Sequence, residues 1–567
     1  MRAWIVCLVI AIPLSAQIPA VRRPSPGGAA PPQQELPADC AASGTVVNGL
    51  NGQPLPRANV TPNSTNGSGT STDAEGRWTI SNITCGPVMF TGEKDGFIQN
   101  VYGRLVAAGP RSNGGFPAKP VVLASGSAAT GLKIELMPEA VVTGRVVDDS
   151  GEPFSHAEVH VVESMVQNGR RITTNYNSAN VDSTGAYRLS GLTPGRYFFC
   201  AMSNRVRYPV GGGPPTVYGE SCFPGPVTTG AGAGLRIEGG QEVHADFTLS
   251  QVTGAHVRGT LSGGSSPGRA TPFGIIQMFK TDPNGFISAP GPRQPQQVRE
   301  GKFDIPNVMP GSYILRANLN VAGETELATA FIDVGGSDID GVSLVFQPGA
   351  TVSGTLRIED VAPPAPPPTS QGNGQPDSQQ PQDTSGKPPV NININPIGIG
   401  GGRMGRIEWD AEHKSFSFSD VGSGKYRINV NVPGGGYFVK SVRLHDHEIR
   451  TDGFIVDGPT GPIEIVVSNE SGTIQGTVTD TDGNPAASQI ILQCGDIPVV
   501  LGRSQDDGTV KIPNVPAGTC KAWAFDDGRN VEYADEEWMR RNAGSPADVV
   551  VTSGSAAQIS LVRRVVP

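Results

Sequence analysis

Hydrophobic and polar residues alternate in short runs along this chain, and turns rich in glycine separate the runs. In Arg77-Trp78-Thr79-Ile80, for example, Trp78 and Ile80 would share one face of a strand. Tyr187-Arg188-Leu189 follows the same pattern. Short strands with frequent turns, without a regular alternation of strands and helices, are typical of β-sandwich modules. The pattern therefore predicts an all-β protein with Trp78 and Ile80 in a core.

The turns themselves repeat with a period of about 100 residues. Each unit opens with a β-prone strand that contains a glycine, and two further glycines, ten residues apart, close two later turns. Glycine suits such turns because it adopts positive φ without a steric penalty. In the fourth unit Gly424 is kept, but Lys414 stands in place of the first paired glycine. The opening glycines are Gly44, Gly144, Gly259, Gly354 and Gly476, and the pairs are Gly76/Gly86, Gly185/Gly195, Gly301/Gly311 and Gly508/Gly518.

The repeats divide the chain into five predicted β-sandwich modules. A disordered insertion is predicted at 362–389 within the fourth module, because this segment has no aromatic residue and no Val, Ile or Leu. A Pro-rich docking site is the alternative for that segment. The predicted ranges are 1–16 for a signal peptide, 17–37 for a Pro-rich flexible leader, 38–138 for module 1, 139–250 for module 2, 251–348 for module 3, 349–470 for module 4 and 471–567 for module 5.

The order of these turns resembles a known family. Module 2 contains Thr143-Gly144-Arg145-Val146, Gly151-Glu152-Pro153, Asp182 to Tyr187 and Leu192 to Tyr197, and module 5 follows it closely. This order is similar to the carboxypeptidase regulatory-like domain, a transthyretin-like sandwich also grouped with carbohydrate-binding-like folds. The resemblance implies a tandem array of about five immunoglobulin-like or transthyretin-like sandwiches. The pattern is also similar to bacterial B-type adhesin repeats, which keeps a surface role open.

Composition and charge narrow the candidate partners. The chain has 75 Gly and 50 Pro among 567 residues, which favours turns over helices. The formal net charge is -9, and the basic residues form no stripe, so nucleic acid is not a predicted partner.

One helix is predicted, from Asp535 to Arg541. Acidic residues stand at its start and basic residues at its end, which suits the helix macrodipole, and Gly544 can end it. Trp538 is expected to pack on module 5, and an exposed contact is the alternative.

The N-terminus predicts export. Arg2, the apolar stretch Trp4–Leu14 and the small residues before Gln17 are typical of a cleaved signal peptide. The stretch is too short to span a bilayer, and no transmembrane segment is predicted in the mature chain. The predicted location is therefore secreted or periplasmic.

The cysteines fit an oxidising compartment. Six remain after the signal peptide is removed, and they form three close pairs, each within one module. Metal binding by these thiols is disfavoured because they contain no C-x-x-C pair. The predicted disulfides are Cys40–Cys85, Cys200–Cys222 and Cys494–Cys520.

The sequence contains partial matches to catalytic motifs, but none has the flanking residues that the chemistry needs. The G-x-S-x-G match at 264–268 has turn-like flanks instead of a strand and a helix, and the G-x-G-x-x-G match at 400–405 is followed by a strand-like run. His445 and Glu448 have the spacing of two zinc ligands, but no histidine follows His447 to supply a third. No catalytic residue, cofactor or metal site is predicted, and adventitious metal binding by His445 and His447, on one strand face, stays open.

These observations predict a secreted, non-catalytic, multi-module binding or scaffold protein, with carbohydrate or a cell-surface polymer as the candidate ligand. A structural, adhesin-like array for protein–protein contacts is the alternative, and an accessory module protein of a peptidase or other hydrolase is a third candidate. Polysaccharide or a surface protein is the predicted partner. Trp78, Trp409 and Trp523 are expected to serve in cores more than as a platform for sugar.

Overall fold

The chain folds into an all-β tandem array of β-sandwich modules, as the sequence predicts. The predicted signal peptide, leader and insertion lie outside the described residues, as do both glycine-rich motif matches. The computed structural model describes residues 39–64, 68–103, 120–210, 215–228, 234–263, 275–281, 287–290, 296–321, 324–347, 349–360, 390–397, 407–432, 436–505, 507–526 and 528–566.

Module 1 has two sheets of four strands and a short two-stranded ribbon. The main sheet has the order β4-β1-β10-β7, and the second has the order β3-β2-β6-β8. The strands are β1 (Cys40–Asn48), β2 (Asn59–Pro62), β3 (Thr70–Ser71), β4 (Arg77–Ile83), β5 (Gly86–Val88), β6 (Phe90–Glu93), β7 (Phe97–Ile98), β8 (Asn100–Val101), β9 (Val121–Leu123) and β10 (Ala128–Pro138).

Module 2 packs the sheet β14-β11-β19 against the sheet β13-β12-β15-β17. The strand Gln251–Thr253 pairs with a strand of module 2, so this module extends past the predicted boundary at 250. The strands are β11 (Ala140–Asp148), β12 (Ala157–Gln167), β13 (Arg170–Asn180), β14 (Ala186–Leu192), β15 (Gly195–Ser203), β16 (Thr216–Tyr218), β17 (Ser221–Phe223), β18 (Leu235–Ile237), β19 (Glu242–His244), β20 (Phe247–Leu249) and β21 (Gln251–Thr253).

Modules 3 and 4 are also built from two sheets. Module 3 pairs β26-β22-β29 with β24-β23-β27-β28, and module 4 pairs β32-β33-β30-β38-β35-β36 with β31-β34-β37. The strands are β22 (Ala255–Gly263), β23 (Ile275–Thr281), β24 (Ile287–Pro290), β25 (Gln296–Gln297), β26 (Lys302–Val308), β27 (Gly311–Val321), β28 (Glu324–Val334), β29 (Ile339–Phe346), β30 (Ala350–Glu359), β31 (Asn391–Pro396), β32 (Ile407–Trp409), β33 (Ser415–Val421), β34 (Gly424–Asn431), β35 (Phe438–Leu444), β36 (His447–Glu448), β37 (Phe454–Val456) and β38 (Thr460–Ser468).

Module 5 joins its strands in the order β41-β40-β43-β45-β39-β42, and β44 pairs with β43. A helix, α1 (Glu536–Asn542), interrupts the strands after a 3₁₀ turn at Gly528–Asn530. No helix among the described residues is long and apolar enough to cross a membrane. The strands are β39 (Ser471–Thr479), β40 (Gln489–Cys494), β41 (Ile497–Arg503), β42 (Thr509–Pro516), β43 (Gly518–Phe525), β44 (Ala547–Val551) and β45 (Ala556–Arg564).

One strand pattern recurs in all five modules. The opening strand (β1, β11, β22, β30 or β39) pairs antiparallel with the strand after the first paired turn and parallel with a strand near the end of the module. The opening glycine is required because the opening strand lies between two partner strands and one of them comes very close to it. A Cβ on Gly144 would lie 1.8 Å from the carbonyl oxygen of Ala245, and one on Gly476 would lie 1.8 Å from that of Ile559. The opening glycine therefore marks the closest approach of two backbones.

The fourth module keeps this design without the first paired glycine. In module 2 the carbonyl of Gly185 accepts a hydrogen bond from Val146 N at 2.8 Å. In module 4 the carbonyl of Lys414 accepts one from Leu356 N, also at 2.8 Å. The preceding His413 takes the left-handed conformation, with φ of 53°. The turn survives because His413 adopts the positive φ that glycine supplies elsewhere.

Each module has its own hydrophobic core. Five separate clusters of buried residues fall one in each of the five predicted ranges, and module 5 has a second, smaller cluster around its helix. Trp78 and Ile80 are both buried in module 1, which confirms the predicted core face. Burial of such apolar faces is the main stabilising contribution to each module.

The predicted helix is confirmed. Asp535 is its N-cap, and its carboxylate accepts hydrogen bonds from Glu537 N and Trp538 N at 2.9 and 3.0 Å. Trp538 is buried in the small cluster with Phe525 and Val531, so it packs on module 5 as expected.

Candidate interaction site at the junction of three modules

A long hairpin of module 2 reaches beyond its own sandwich. Strands β12 and β13 pair along their whole length, but β12 pairs with β15 only up to Ser164. The turn at Asn168-Gly169 has positive φ at both residues, 50° and 76°, which matches the twist of a two-residue hairpin. Gln167 to Arg171, called here the hairpin tip, therefore has only the other strand of the hairpin as a partner within module 2.

The hairpin tip meets an insert of module 5. This insert, residues 526 and 528–546, lies between β43 and β44 and contains α1. Ala534 N donates a hydrogen bond to Gly169 O at 3.1 Å. A Cβ on Gly169 would lie 2.5 Å from the Cδ2 of Tyr533. Glycine is therefore needed here for contact with another module as well as for the turn.

A buried ion pair joins the same two modules. Arg171 Nε donates to Glu532 Oε1 at 2.8 Å, and the two side chains are 4% and 8% exposed. Ser164 Oγ, on the neighbouring strand, lies 3.4 Å from Arg171 Nη1. Two charges removed from water are stable only when each satisfies the other. The position of module 5 against module 2 is thus specified by a pair separated by 361 residues.

The C-terminal residues strengthen this contact. Val566 is buried, and its N–H donates to Asp526 Oδ1 at 2.9 Å. Its carbonyl lies 3.4 Å from Arg236 Nη1 of module 2. The end of the described chain therefore joins the insert to module 2 at a second point.

Module 4 also touches the hairpin tip. Arg170 forms an ion pair with Asp452, and both side chains are about half exposed, at 49% and 64%. Arg427 Nη1 lies 3.5 Å from Gln167 Oε1, at the outer limit of a hydrogen bond. Modules 2, 4 and 5 thus meet at one place, which we call the junction.

Two guanidinium groups of module 4 are desolvated at the junction. Burial lowers the pKa of Arg450 to about 10, against the opposing effect of Glu448. Burial also lowers the pKa of Arg427, and it raises the pKa of Tyr533, although both arginines act to lower it. Arg450 Nε lies 3.3 Å from Glu448 Oε1 without hydrogen-bond alignment. Arg450 Nη2 and Arg427 Nε are also buried without a hydrogen-bond partner.

The predicted disulfides lie inside modules and away from the junction. The structure contains the three predicted bonds, Cys40–Cys85, Cys200–Cys222 and Cys494–Cys520. Cys200 and Cys222 face each other on β15 and β17, and Cys494 and Cys520 do so on β40 and β43. The clusters of three potential metal ligands in the described ranges both consist of a disulfide and one acidic residue.

The two histidines considered for adventitious metal binding do not share a strand face. His445 lies in the turn between β35 and β36 with φ of 55°, whereas His447 begins β36. The prediction of a common face was wrong because the strand ends at Leu444 and reverses there. Glu448 accepts a hydrogen bond from Val442 N at 3.0 Å and lies beside Arg450, so it supports the junction.

The described tryptophans pack against cores. Trp78 and Trp538 are buried, and Trp409 and Trp523 are partly buried against their modules. Trp523 Nε1 also donates to Gly544 O at 3.2 Å. These four side chains serve the fold, as expected for Trp78, Trp409 and Trp523.

Sequence reasoning missed the junction, although two signals for it exist. The Asn168-Gly169 pair between β-prone runs is a strong hairpin signal. The helical insert of module 5 was predicted, but its role as a contact for module 2 was not. The partners are hundreds of residues apart, and single-sequence patterns carry no information about such pairing.

Neither a protein-family model nor a curated protein matches this chain. Among solved structures it is similar to the Bacillus anthracis TIE protein, with 12% identity over 72% of this chain and 68% of that one, and a TM-score of 0.13. It is also similar to a Streptococcal ancillary pilin, with 11% identity over 55% of this chain and 99% of that one, and a TM-score of 0.18. It is similar as well to BcpA, the major pilin subunit of Bacillus cereus, with 12% identity over 75% of this chain and 99% of that one, and a TM-score of 0.13. At these TM-scores the likenesses support no conclusion about function.

Proposed function

We propose that this chain is a secreted, non-catalytic scaffold that presents β-sandwich modules to other proteins, in the manner of an adhesin-like array. The observation that carries the proposal is the junction, where the hairpin tip of module 2 is held between modules 4 and 5. Contacts between modules that are not neighbours in sequence hold module surfaces in defined relative positions. A frame of this kind suits recognition of a partner that touches several modules at once.

The charged side chains support a structural role. Asp182, Asp410 and Asp480 each accept backbone N–H groups of their own turns. Arg171 and Glu532 join two modules. The charges of these residues are therefore engaged in shaping turns and interfaces. Three disulfides within modules fit an oxidising compartment outside the cytoplasm.

A protein partner is favoured over a sugar because of where the tryptophans lie. Sugar-binding surfaces present aromatic rings to solvent, whereas Trp78 and Trp538 are core residues and Trp409 and Trp523 are partly buried. The exposed aromatic side chains Tyr208 and Phe331 belong to different modules, one in module 2 and one in module 3. The resemblance of modules 2 and 5 to carboxypeptidase regulatory-like domains remains a prediction, and the carbohydrate ligand that it implies ranks below a protein partner.

The test uses the secreted chain, oxidised and immobilised, with an envelope fraction from the source organism. One portion of the fraction is treated with protease and another with periodate, which cleaves sugar diols. We expect protease to abolish binding and periodate to leave it unchanged. Loss of binding after periodate alone would support the carbohydrate ligand, and absence of binding to the untreated fraction would contradict an envelope partner.

A further inference from the structure

We propose that the junction is a latch with two unequal halves: the hairpin tip stays bound to module 5, whereas module 4 separates from it when ionic strength rises. The proposal concerns contacts within one chain, so it stands or falls independently of the proposed partner class. It predicts a defined order of release at a place where three modules meet.

In the module 5 half, the charged groups are buried and their hydrogen bond is well aligned. Arg171 and Glu532 are almost fully buried and 2.8 Å apart, so dissolved ions cannot reach between them. The backbone hydrogen bond from Ala534 N to Gly169 O adds a contact that does not depend on charge. The ring of Tyr533 lies against Gly169, where a Cβ would already be too close. This half resists salt because burial excludes the screening ions.

The module 4 half contacts the hairpin tip through a half-exposed ion pair and a long hydrogen bond, although two arginines of module 4 beside these contacts are desolvated. Arg170 and Asp452 are about half exposed, at 49% and 64%, so salt screens their attraction. The contact of Arg427 with Gln167 spans 3.5 Å and adds little. The side-chain contacts between the hairpin tip and module 4 are therefore the ones that salt or water competes with most easily.

Separation of module 4 also removes the desolvation cost of two of its arginines. Arg427 Nε and Arg450 Nη2 are buried without a hydrogen-bond partner. Unpaired buried N–H groups regain hydrogen bonds from water when they are exposed. The closed junction keeps water from these arginines of module 4, whereas separation of modules 2 and 5 would leave Arg171 and Glu532 buried or rehydrated without each other. Opening the module 4 half therefore removes a desolvation cost, whereas opening the module 5 half would break a satisfied ion pair.

Release at the hairpin tip would leave module 4 connected to module 5. Gly436 N donates to Asn514 Oδ1 of module 5 at 3.2 Å, and the chain runs directly from β38 into β39. Separation at the hairpin tip is thus expected to be a change of orientation between modules 4 and 5.

The test measures two distances by fluorescence energy transfer in the full secreted chain. One labelled pair, Asn175→Cys with Ile455→Cys, reports modules 2 and 4. The other, Asn175→Cys with Asp548→Cys, reports modules 2 and 5; all three positions are exposed. Raising NaCl from about 0.1 M to about 1 M shortens the Debye length from about 10 Å to about 3 Å. We expect transfer to fall for the first pair only.

A matched pair of variants separates the latch from general salt effects. Arg170→Gln removes the exposed ion pair, and it is expected to lower transfer between modules 2 and 4 already at low salt. Arg188→Gln removes an exposed arginine elsewhere on module 2, on β14, and it is expected to change nothing. Equal loss of transfer in both labelled pairs, or unchanged transfer in both up to about 1 M NaCl, overturns the proposal.

Hydrogen exchange supplies a second readout that needs no labels. The Ala534 amide should stay protected at high salt because it remains bonded to Gly169 O. Loss of this protection together with release of module 4 would show that the junction opens as one unit, which contradicts the unequal latch.

Discussion

Two glycines of module 2 have nearly the same backbone shape but different reasons for it. Gly185 closes a repeated turn with φ of 78°, and its Cβ would lie 2.7 Å from the carbonyl oxygen of Val146 in the same module. Gly169 closes the hairpin with φ of 76°, and its Cβ would lie 2.5 Å from Tyr533 of module 5. The first glycine is required by the fold of one module and the second also by the assembly of several.

The forces differ between these regions as well. The repeated framework rests on backbone hydrogen bonds and apolar cores, which make each module complete by itself. The junction rests on charged groups, some buried and some exposed, such as Arg171 with Glu532 and Arg170 with Asp452. A buried ion pair is costly to break but adds little compared with an apolar contact of the same volume. The junction therefore specifies an arrangement more than it contributes stability.

The largest expected effect comes from the framework. Gly476→Ala places a Cβ 1.8 Å from the carbonyl oxygen of Ile559, where neither strand can move without losing its ladder. We expect a loss of about 5 kcal/mol or more in the stability of module 5, seen as unfolding followed by tryptophan fluorescence. Gly483→Ala is the control, because its φ of 85° also strains the backbone of an alanine but a Cβ there meets nothing within 4 Å. Equal effects of the two substitutions would contradict the role assigned to Gly476.

Arg171→Met tests the junction. It leaves Glu532 buried without its partner, and removal of one member of a buried pair costs about 3–5 kcal/mol. We expect module 2 to separate from the insert of module 5 while the separate cores stay folded, with faster hydrogen exchange at Ala534. The double variant Arg171→Met with Glu532→Leu should recover most of the loss, and failure to recover would mean that the charges themselves are not the cause.

Gly169→Ala compares the two glycines directly. The left-handed backbone alone should cost the hairpin about 1–2 kcal/mol, and the added Cβ, 2.5 Å from Tyr533, should weaken the junction in addition. Exchange at Ala534 should increase strongly, whereas the unfolding midpoint of module 2 should fall only by the amount that the backbone strain explains. Gly185→Ala should produce the reverse pattern. The comparison fails if both variants destabilise module 2 alike.

The smallest expected effect concerns acid. Hydrogen bonds from the Thr184 hydroxyl and from the N–H groups of Thr184 and Ala186 hold the pKa of Asp182 below its ordinary value of 3.8. A lowered folded-state pKa stabilises the turn above the unfolded value, and this contribution is lost as pH falls through the folded pKa. The stability of module 2, measured by urea unfolding, should differ less between about pH 6 and about pH 3 in Asp182→Asn than in the unmodified protein. The exposed Glu152→Gln should leave it unchanged, and equal changes in both variants would argue against the turn.

Local patterns predicted much of the framework. The alternation around Trp78 and Ile80 identified a core face, and the charges flanking Trp538 identified α1. The predicted cysteine pairs are the observed disulfides because each pair lies within one module. The prediction that His445 and His447 share a strand face was wrong, because a turn ends the strand at Leu444 and the alternation of residues does not show that turn.

Turn chemistry, periodicity of apolar residues and charge near a helix act over a few residues, so the order of the residues was enough to specify five similar sandwiches. The register that brings Gly169 against Tyr533, and Arg171 against Glu532, depends on how whole modules pack. Burial is a property of that packing, and it turns an ordinary arginine into half of a dry ion pair. Only the tertiary structure shows which of the many charged residues are buried away from water.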